Sequence, residues 1–230
     1  MLLYIVRHGD PNYKDNVLTP LGVEQARALA RRFAVHGLDQ IFCSPLGRAR
    51  ETARYTCELL KKEPQIEHWM SEDLAAARFS SFEGGRRRWM SAVLRESMYA
   101  EENVLPLSRW KEAPMFDDHP EAKDGYDALI ASSDDFFRRL GFEREGGLYR
   151  LTGKDPGRVA AFCHAGFGGT WMSHLLSLPP QIFWRNMDCM ETSSFHIIQF
   201  VPDKSGLCPP RALTLSSTPH IYDERLPLGY

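Results

Sequence analysis

Two short, uninterrupted apolar runs constrain this chain more than anything else in it: Leu2-Leu3-Tyr4-Ile5-Val6 at the start and Val159-Ala160-Ala161-Phe162-Cys163 far along it. A run of that length, apolar on both sides of the pleat and closed by glycine, suits a strand buried on both faces, as in a parallel sheet covered by helices. Each run ends in a histidine: Arg7-His8-Gly9 follows the first, His164-Ala165-Gly166 the second. Open α/β sheets bind ligands beyond the carboxyl ends of their strands. Both histidines are therefore expected at one binding edge.

The residues between the runs alternate in the manner of a βα protein. Thr19-Pro20 followed by Leu21, Ala26, Leu29, Ala30 and Phe33 predicts a helix from about 20 to 36, stopped by Gly37. Ile41-Phe42-Cys43 reads as a second strand, and Ala49, Ala53, Cys57 and Leu60 mark one face of a helix from Gly47 to Lys61. A third strand is expected at Gln65 to Met70, a helix at Thr170 to Ser177, and further strands at Phe195 to Val201 and Ala212 to Leu215. The fold class is α/β, three-layer, with a mainly parallel central sheet and helices on both faces. The chain reads as one domain, 1–230. From about 71 to 125 the periodicity breaks around Gly84-Gly85, Pro106, Pro114 and Pro120, which predicts a long insertion that is either a lid or a cover over the sheet. In it, Trp89, Trp110 and Arg86-Arg87-Arg88 are candidates to meet a leaving group, or equally core and solvent face.

A net charge of −2 gives no field for nucleic acid or an anionic membrane, so any anion must be held locally. The N-terminal apolar run is too short for a signal peptide, and no stretch reaches membrane-spanning length. A cytoplasmic protein is expected. Five scattered cysteines, Cys43, Cys57, Cys163, Cys189 and Cys208, have no CxxC spacing, which argues against a disulfide scaffold or a structural zinc site.

The chemistry gathers at strand ends. Arginine presents a planar fork of donors suited to phosphate, and a neutral imidazole can attack phosphorus. Arg48 falls in the first turn of the second helix, where the positive dipole end makes a cation unfavourable unless an anion compensates it. Arg50 and Arg54 point elsewhere on that helix and are expected at the surface with Glu51 or Glu58. His36, His68, His174 and His196 have no motif around them.

Arg7-His8-Gly9, Leu18-Thr19-Pro20-Leu21-Gly22, Ser44-Pro45-Leu46-Gly47-Arg48-Ala49-Arg50-Glu51-Thr52-Ala53 and Cys163-His164-Ala165-Gly166 together resemble the histidine phosphatase superfamily, over most of the chain. The resemblance implies that His8 is the nucleophile, that Arg7, Arg48 and His164 hold the phosphoryl oxygens, and that a glutamate after the third strand donates a proton. Two alignments compete for that donor. Counting back from Phe82-Glu83-Gly84 puts Ala76 at the position, while Met70-Ser71-Glu72 matches the family's Leu-x-Glu and favours Glu72. Asp73 and Glu83 remain alternatives. His220, within Pro219-His220-Ile221, resembles a pair found near the family's C-terminus and reads as structural.

The expected activity is phosphomonoester hydrolysis through a phosphohistidine on His8, without a metal or other cofactor, on a small phosphorylated substrate. The alternatives are a phosphoglycerate mutase and a phosphate-binding scaffold that has lost catalysis. The mutases' Glu-Arg-His-Tyr-Gly has no counterpart in residues 67–85. Neither the substrate's identity nor the oligomeric state is legible.

Overall fold

The first apolar run forms β1 (Leu2–Arg7) in a computed structural model that describes residues 1–83, 85–187 and 190–228. The loop after it makes a two-residue ribbon, β2 (Pro11–Asn12) with β3 (Val17–Leu18), before α1 (Pro20–Ala34). Thr19 caps α1 by accepting the Gly22 amide at 3.1 Å, and Pro20 sits where no backbone donor is needed. β4 (Gln40–Cys43) and α2 (Gly47–Leu60) follow as the periodicity predicts.

The expected third strand is shorter than Gln65 to Met70. Only β5 (Gln65–Ile66) pairs with β4, and His68–Met70 is a 3-10 turn. Glu67 takes the chain out of the sheet: its buried carboxylate accepts from Arg139 at 2.8 and 2.9 Å and from the Trp69 indole at 2.9 Å, turning Trp69 and Met70 into the core. Then comes α3 (Glu72–Phe79), which the sequence did not suggest.

The irregular segment contains the hairpin β6 (Ser80–Glu83) and β7 (Arg86–Trp89), the short α4 (Met90–Val93) and four 3-10 turns between Ser97 and Phe116. Trp110 is core, packed edge-on against Phe116 and Tyr126. α5 (Pro120–Arg139) runs straight through residue 125 and leads into the hairpin β8 (Phe142–Glu145) and β9 (Leu148–Leu151). The second apolar run is β10 (Arg158–Cys163).

α6 (Ala165–Leu175) begins directly after His164, not at Thr170. Gly166, Gly168 and Gly169 each cost about 1 kcal/mol of helix propensity, so the sequence delays the helix. Tertiary packing overrides that: a Cβ on Gly168 would stand 2.8 Å from the Met190 sulfur and 3.3 Å from Ile5 Cγ2, so glycine lets α6 lie this close without displacing its neighbours. α7 (Pro180–Met187), β11 (Phe195–Gln199), β12 (Leu207–Cys208), β13 (Arg211–Ser217) and α8 (Pro219–Asp223) complete the chain.

The main sheet has the order β13-β11-β1-β10-β4-β5, with β1, β10, β4 and β5 parallel and β11 antiparallel to both its neighbours, β1 and β13. Alternation along the strands builds two cores. Leu3, Ile5, Val159 and Ala161 face Phe136 and Phe137 of α5 and Phe167 and Trp171 of α6. Val6, Ala160 and Phe162 face Leu29 and Phe33 of α1 and Ala49 and Ala53 of α2. The result is the three-layer α/β arrangement, with β4, β10 and β1 as adjacent parallel strands whose carboxyl ends share one edge. Cys43, Cys57, Cys163 and Cys208 are buried and free, while Cys189 lies outside the described residues. Phe162 is fully buried on the central strand β10. Phe162→Ala should cost about 3–5 kcal/mol, read as a fall in the urea midpoint.

Candidate active site

His8 leaves β1 still hydrogen-bonded to the sheet, its amide donating to the Cys163 carbonyl at 3.1 Å and its carbonyl accepting from the Ser193 amide at 2.9 Å. The next amide, Gly9, donates to Thr52 Oγ1 at 3.0 Å, and that hydroxyl donates to the Arg48 carbonyl at 2.8 Å. The strand tip and the first turn of α2 are thus tied together through the Thr52 hydroxyl.

The ring of His8 is buried with Nδ1 2.7 Å from the Gly9 carbonyl oxygen. A carbonyl only accepts, so Nδ1 carries the proton and Nε2 keeps its lone pair. Burial, helped by Arg7 and Arg48, lowers the His8 pKa to about 3 against the pull of the Gly9 carbonyl. The imidazole is neutral at physiological pH.

His164 lies beside it, ring centres 5.2 Å apart, with Nε2 2.8 Å from Ser44 Oγ and Nδ1 buried without a partner. Burial, then the charges of its neighbours, holds this histidine well below its ordinary range. Ser44 also accepts the Leu46 amide at 3.3 Å.

Arg48 turns inward from α2 and is 6% exposed. Its Nη1 donates to Asn16 Oδ1 at 2.8 Å, its guanidinium lies 5.3 Å from the Tyr13 ring centre, and its Nε has no partner. The β2–β3 loop reaches it because residue 47 is glycine: a Cβ there would stand 2.3 Å from the Asn16 carbonyl oxygen. Arg7 donates through Nη1 to the Met190 carbonyl, and its Nε is likewise buried and unpartnered. No ion pair among the described residues neutralises either arginine. A buried cation such as Arg48, with the half-buried Arg7 beside the same strand tip, is costly without a counter-ion, so the pair forms a site that favours an anion.

Glu72 opens α3, capped by Ser71, and its carboxylate spans the start of α6: Oε1 accepts from the Gly166 amide at 3.1 Å and Oε2 from the Phe167 amide at 2.8 Å. Burial pushes its pKa up to about 7, against the Phe167 and Gly166 amides, Arg48 and Arg7, which all favour the charged form. All five residues singled out from the sequence, Arg7, His8, Arg48, Glu72 and His164, therefore lie on the β1–β10–β4 edge or on the helices that begin there. Asp73 is exposed on α3 and Ala76 lies a turn further on, while the side chain of Glu83 lies outside the described structure. Arg54 pairs with Glu58 at 2.9 Å on the surface as expected. His220 stacks on Phe195 and meets Ser193 Oγ at 3.3 Å, behind the His8 backbone.

The sequence reading missed Tyr13, Asn16, Ser44 and Thr52 as site neighbours. Ser44 and Thr52 stood inside the Ser44–Ala53 motif and could have been taken from it. Tyr13 and Asn16 carried no signal, because a loop closing over an arginine has no period.

Several of these histidines are buried in the neutral form, which fixes the direction of acid sensitivity. His8 at about 3 and His196 and His220 at about 4 stay unprotonated in the fold, whereas in the unfolded chain they charge near 6.5. Stability should therefore fall as pH drops below about 6.5, by about 1.4 kcal/mol per pH unit for each proton of difference. Glu72 acts oppositely between 4.5 and about 7, holding a proton that the unfolded chain releases. The three histidines outweigh it, so the urea midpoint should be lower at pH 5 than at pH 7. An equal or higher midpoint would contradict the neutral burial.

Among known proteins, a family model described as the histidine phosphatase superfamily (branch 1) matches residues 3–207. A protein of Hydrogenobacter thermophilus, named as a phosphoserine phosphatase, is 36% identical over 91 residues, 36% of this chain and 43% of that protein. One of Photorhabdus laumondii, named as a phosphoglycerate mutase, is 29% identical over 106 residues, 40% of this chain and 49% of that protein. The chain thus spans under half the length of the curated relatives it matches. The crystal structure of a phosphoserine phosphatase from Entamoeba histolytica in complex with 3-phosphoglyceric acid superposes with a TM-score of 0.62, at 19% identity, covering 96% of this chain and 98% of that one. At that identity the likeness is one of fold.

Proposed function

The chain belongs to the histidine phosphatase superfamily, and from that premise and the site's geometry we propose that it hydrolyses small phosphomonoesters through a covalent phosphate on His8. The observation that carries the reading is the contact of His8 Nδ1 with the Gly9 carbonyl: it makes Nδ1 the donor, so Nε2 presents a free lone pair at a strand tip beside the buried Arg48 and the half-buried Arg7. Activity, substrate and the role of each residue are all part of the proposal.

In the first step His8 Nε2 attacks phosphorus in line, the ester P–O bond breaks, and protonated Glu72 gives its proton to the leaving oxygen. In the second, Glu72, now a carboxylate, takes a proton from water, the hydroxide attacks phosphorus, and the P–N bond breaks to return the lone pair to Nε2. Throughout, the proton stays on Nδ1 and donates to the Gly9 carbonyl, which supports the positive charge of the phosphorylated ring. A carboxyl with a pKa of about 7 supports both roles, since both protonation states are populated at neutral pH. Arg7 and Arg48 supply fixed charge for the equatorial oxygens, where positioned electrostatics do most of the work of phosphoryl transfer. Ser44 accepts from the Leu46 amide and can donate its own proton to His164 Nε2, which leaves Nδ1–H of His164 free for a phosphoryl oxygen.

No step uses a metal, and independence from metals is part of the proposal. A panel of phosphomonoesters assayed in EDTA should release phosphate at the rate seen without chelator, and vanadate, a mimic of five-coordinate phosphorus, should inhibit. Loss of activity in EDTA would contradict the scheme. Appearance of the phosphoryl group on a second hydroxyl of a phosphoglycerate would make the protein a mutase instead. No described helix is long and apolar enough to cross a membrane.

A further inference from the structure

The β6–β7 hairpin ends at Trp89, and the outer edge of that indole lies against the start of α6. A Cβ at Gly166 would stand 2.3 Å from Trp89 Cη2 and Cζ2 and 2.6 Å from Cζ3, so the ring rests directly on the Gly166 backbone. That same residue's amide is one of the two that hold the Glu72 carboxylate. Trp69 packs edge-on against the ring of Phe167, whose amide is the second donor, with ring centres 5.3 Å apart. Glu72 is thus pinned at a helix start whose two donor residues, Gly166 and Phe167, are each packed against a tryptophan. Both rings are half-buried, and Trp89 is the one carried by the β6–β7 hairpin.

We propose that Trp89 is a positioning residue for Glu72, its indole closing the Gly166 amide and the carboxylate bound to it against water, so that the 80–89 hairpin sets the proton affinity of the acid. The proposal rests on the reading of Glu72 as proton donor, but the arrangement it describes is present in the resting protein.

Desolvation is the largest influence on Glu72 and acts against every charged or polar neighbour it has: Arg48 from α2, Arg7 from β1 and the two amides of α6 all favour the carboxylate. Cys163, at the end of β10, interacts with Glu72 and is itself held protonated by burial. Asp73, next to Glu72 on α3, is exposed, as are Arg86 and Arg88 on β7; β7 also carries Arg87. With so many neighbours pulling the proton away, the exclusion of water is what keeps the acid protonated near neutrality, and Trp89 is the half-buried, removable part of that exclusion. Gly166 completes the device, because any side chain there would lift the indole off.

The test reads the Glu72 carboxyl itself. Protein carrying 13C at the glutamate carboxyl is titrated by NMR without substrate, and the Glu72 resonance is identified as the one missing from Glu72→Gln. The parent should titrate with a midpoint of about 7. Trp89→Ala should lower that midpoint by about one pH unit, a tenfold loss of proton affinity. Gly166→Ala, which leaves the tryptophan in the chain but pushes it away, should lower it in the same direction. Trp89→Phe should restore most of the parent value. If Trp89→Ala does not fold, Gly166→Ala and Trp89→Phe decide the matter. An unchanged midpoint in Trp89→Ala, or in Gly166→Ala where the former is unfolded, overturns the proposal. Because no substrate is present, a protein that titrates as described yet hydrolyses no ester would count against the function and leave this coupling standing.

Discussion

His8→Ala should abolish turnover, with a fall in kcat of about a millionfold, the scale seen when a covalent nucleophile is deleted from an otherwise intact site. The size follows from how little else could replace the imidazole. His164, the nearest ring, has its Nε2 engaged by Ser44 and sits deeper, fully buried. Cys163, one residue before it, is held as a thiol by burial. The fold should survive, because the His8 backbone rather than its ring makes the sheet contacts. Arg7, Arg48 and His164 remain, so the variant should still bind phosphate or vanadate. Retained binding with lost turnover distinguishes a missing nucleophile from a collapsed pocket. With a pKa of about 3, His8 should also contribute no acid limb to the pH profile between 5 and 7.

Glu72→Gln should cost about 10²–10⁴-fold with an alkyl phosphate, the range for removing a general acid. Glutamine keeps one acceptor oxygen for the α6 amides, so the change removes the titrating proton together with one of the two amide contacts. An activated ester such as p-nitrophenyl phosphate needs little help in departing, and its first step should be spared. The second step still requires a base for water, which glutamine cannot supply. A burst of p-nitrophenol followed by slow turnover is the expected signature, with the phosphoenzyme accumulating. The parent should lose its phosphorylation step above pH 7, as Glu72 ionises, and the variant should show no such limb. Near-parent hydrolysis of an alkyl ester would move the donor role away from Glu72.

What the sequence revealed and what it hid divide along physical lines. β1 and β10 were legible because a strand buried on both faces must be apolar throughout, and their trailing residues placed His8 and His164 at one edge. Arg48 was legible because a cation in a helix's first turn needs a reason. Glu72 came from spacing within a motif, and the structure adds what spacing could not: a helix starting at that residue and two amides aimed at its carboxylate. The glycines of α6 misled, since propensity reports the cost of glycine and is silent on the close approaches that Trp89 and Met190 make. The third strand was overread because the Arg139–Glu67 pair that turns the chain inward spans 72 positions. The run of 3-10 turns from Ser97 to Phe116 has no period to detect, and its order comes from Trp110 and Phe116 entering the core.

The central claim is a phosphate covalently held by His8, and trapping it tests that claim most directly. Glu72→Gln mixed with p-nitrophenyl phosphate, quenched in base to preserve phosphohistidine, digested and mapped by mass spectrometry should carry one phosphoryl group on the peptide containing His8. Phosphorus NMR of the quenched protein should place it on Nε2, since Nδ1 is committed to the Gly9 carbonyl. Phosphate on any other residue, or a burst of p-nitrophenol with no phosphoprotein behind it, would contradict the account.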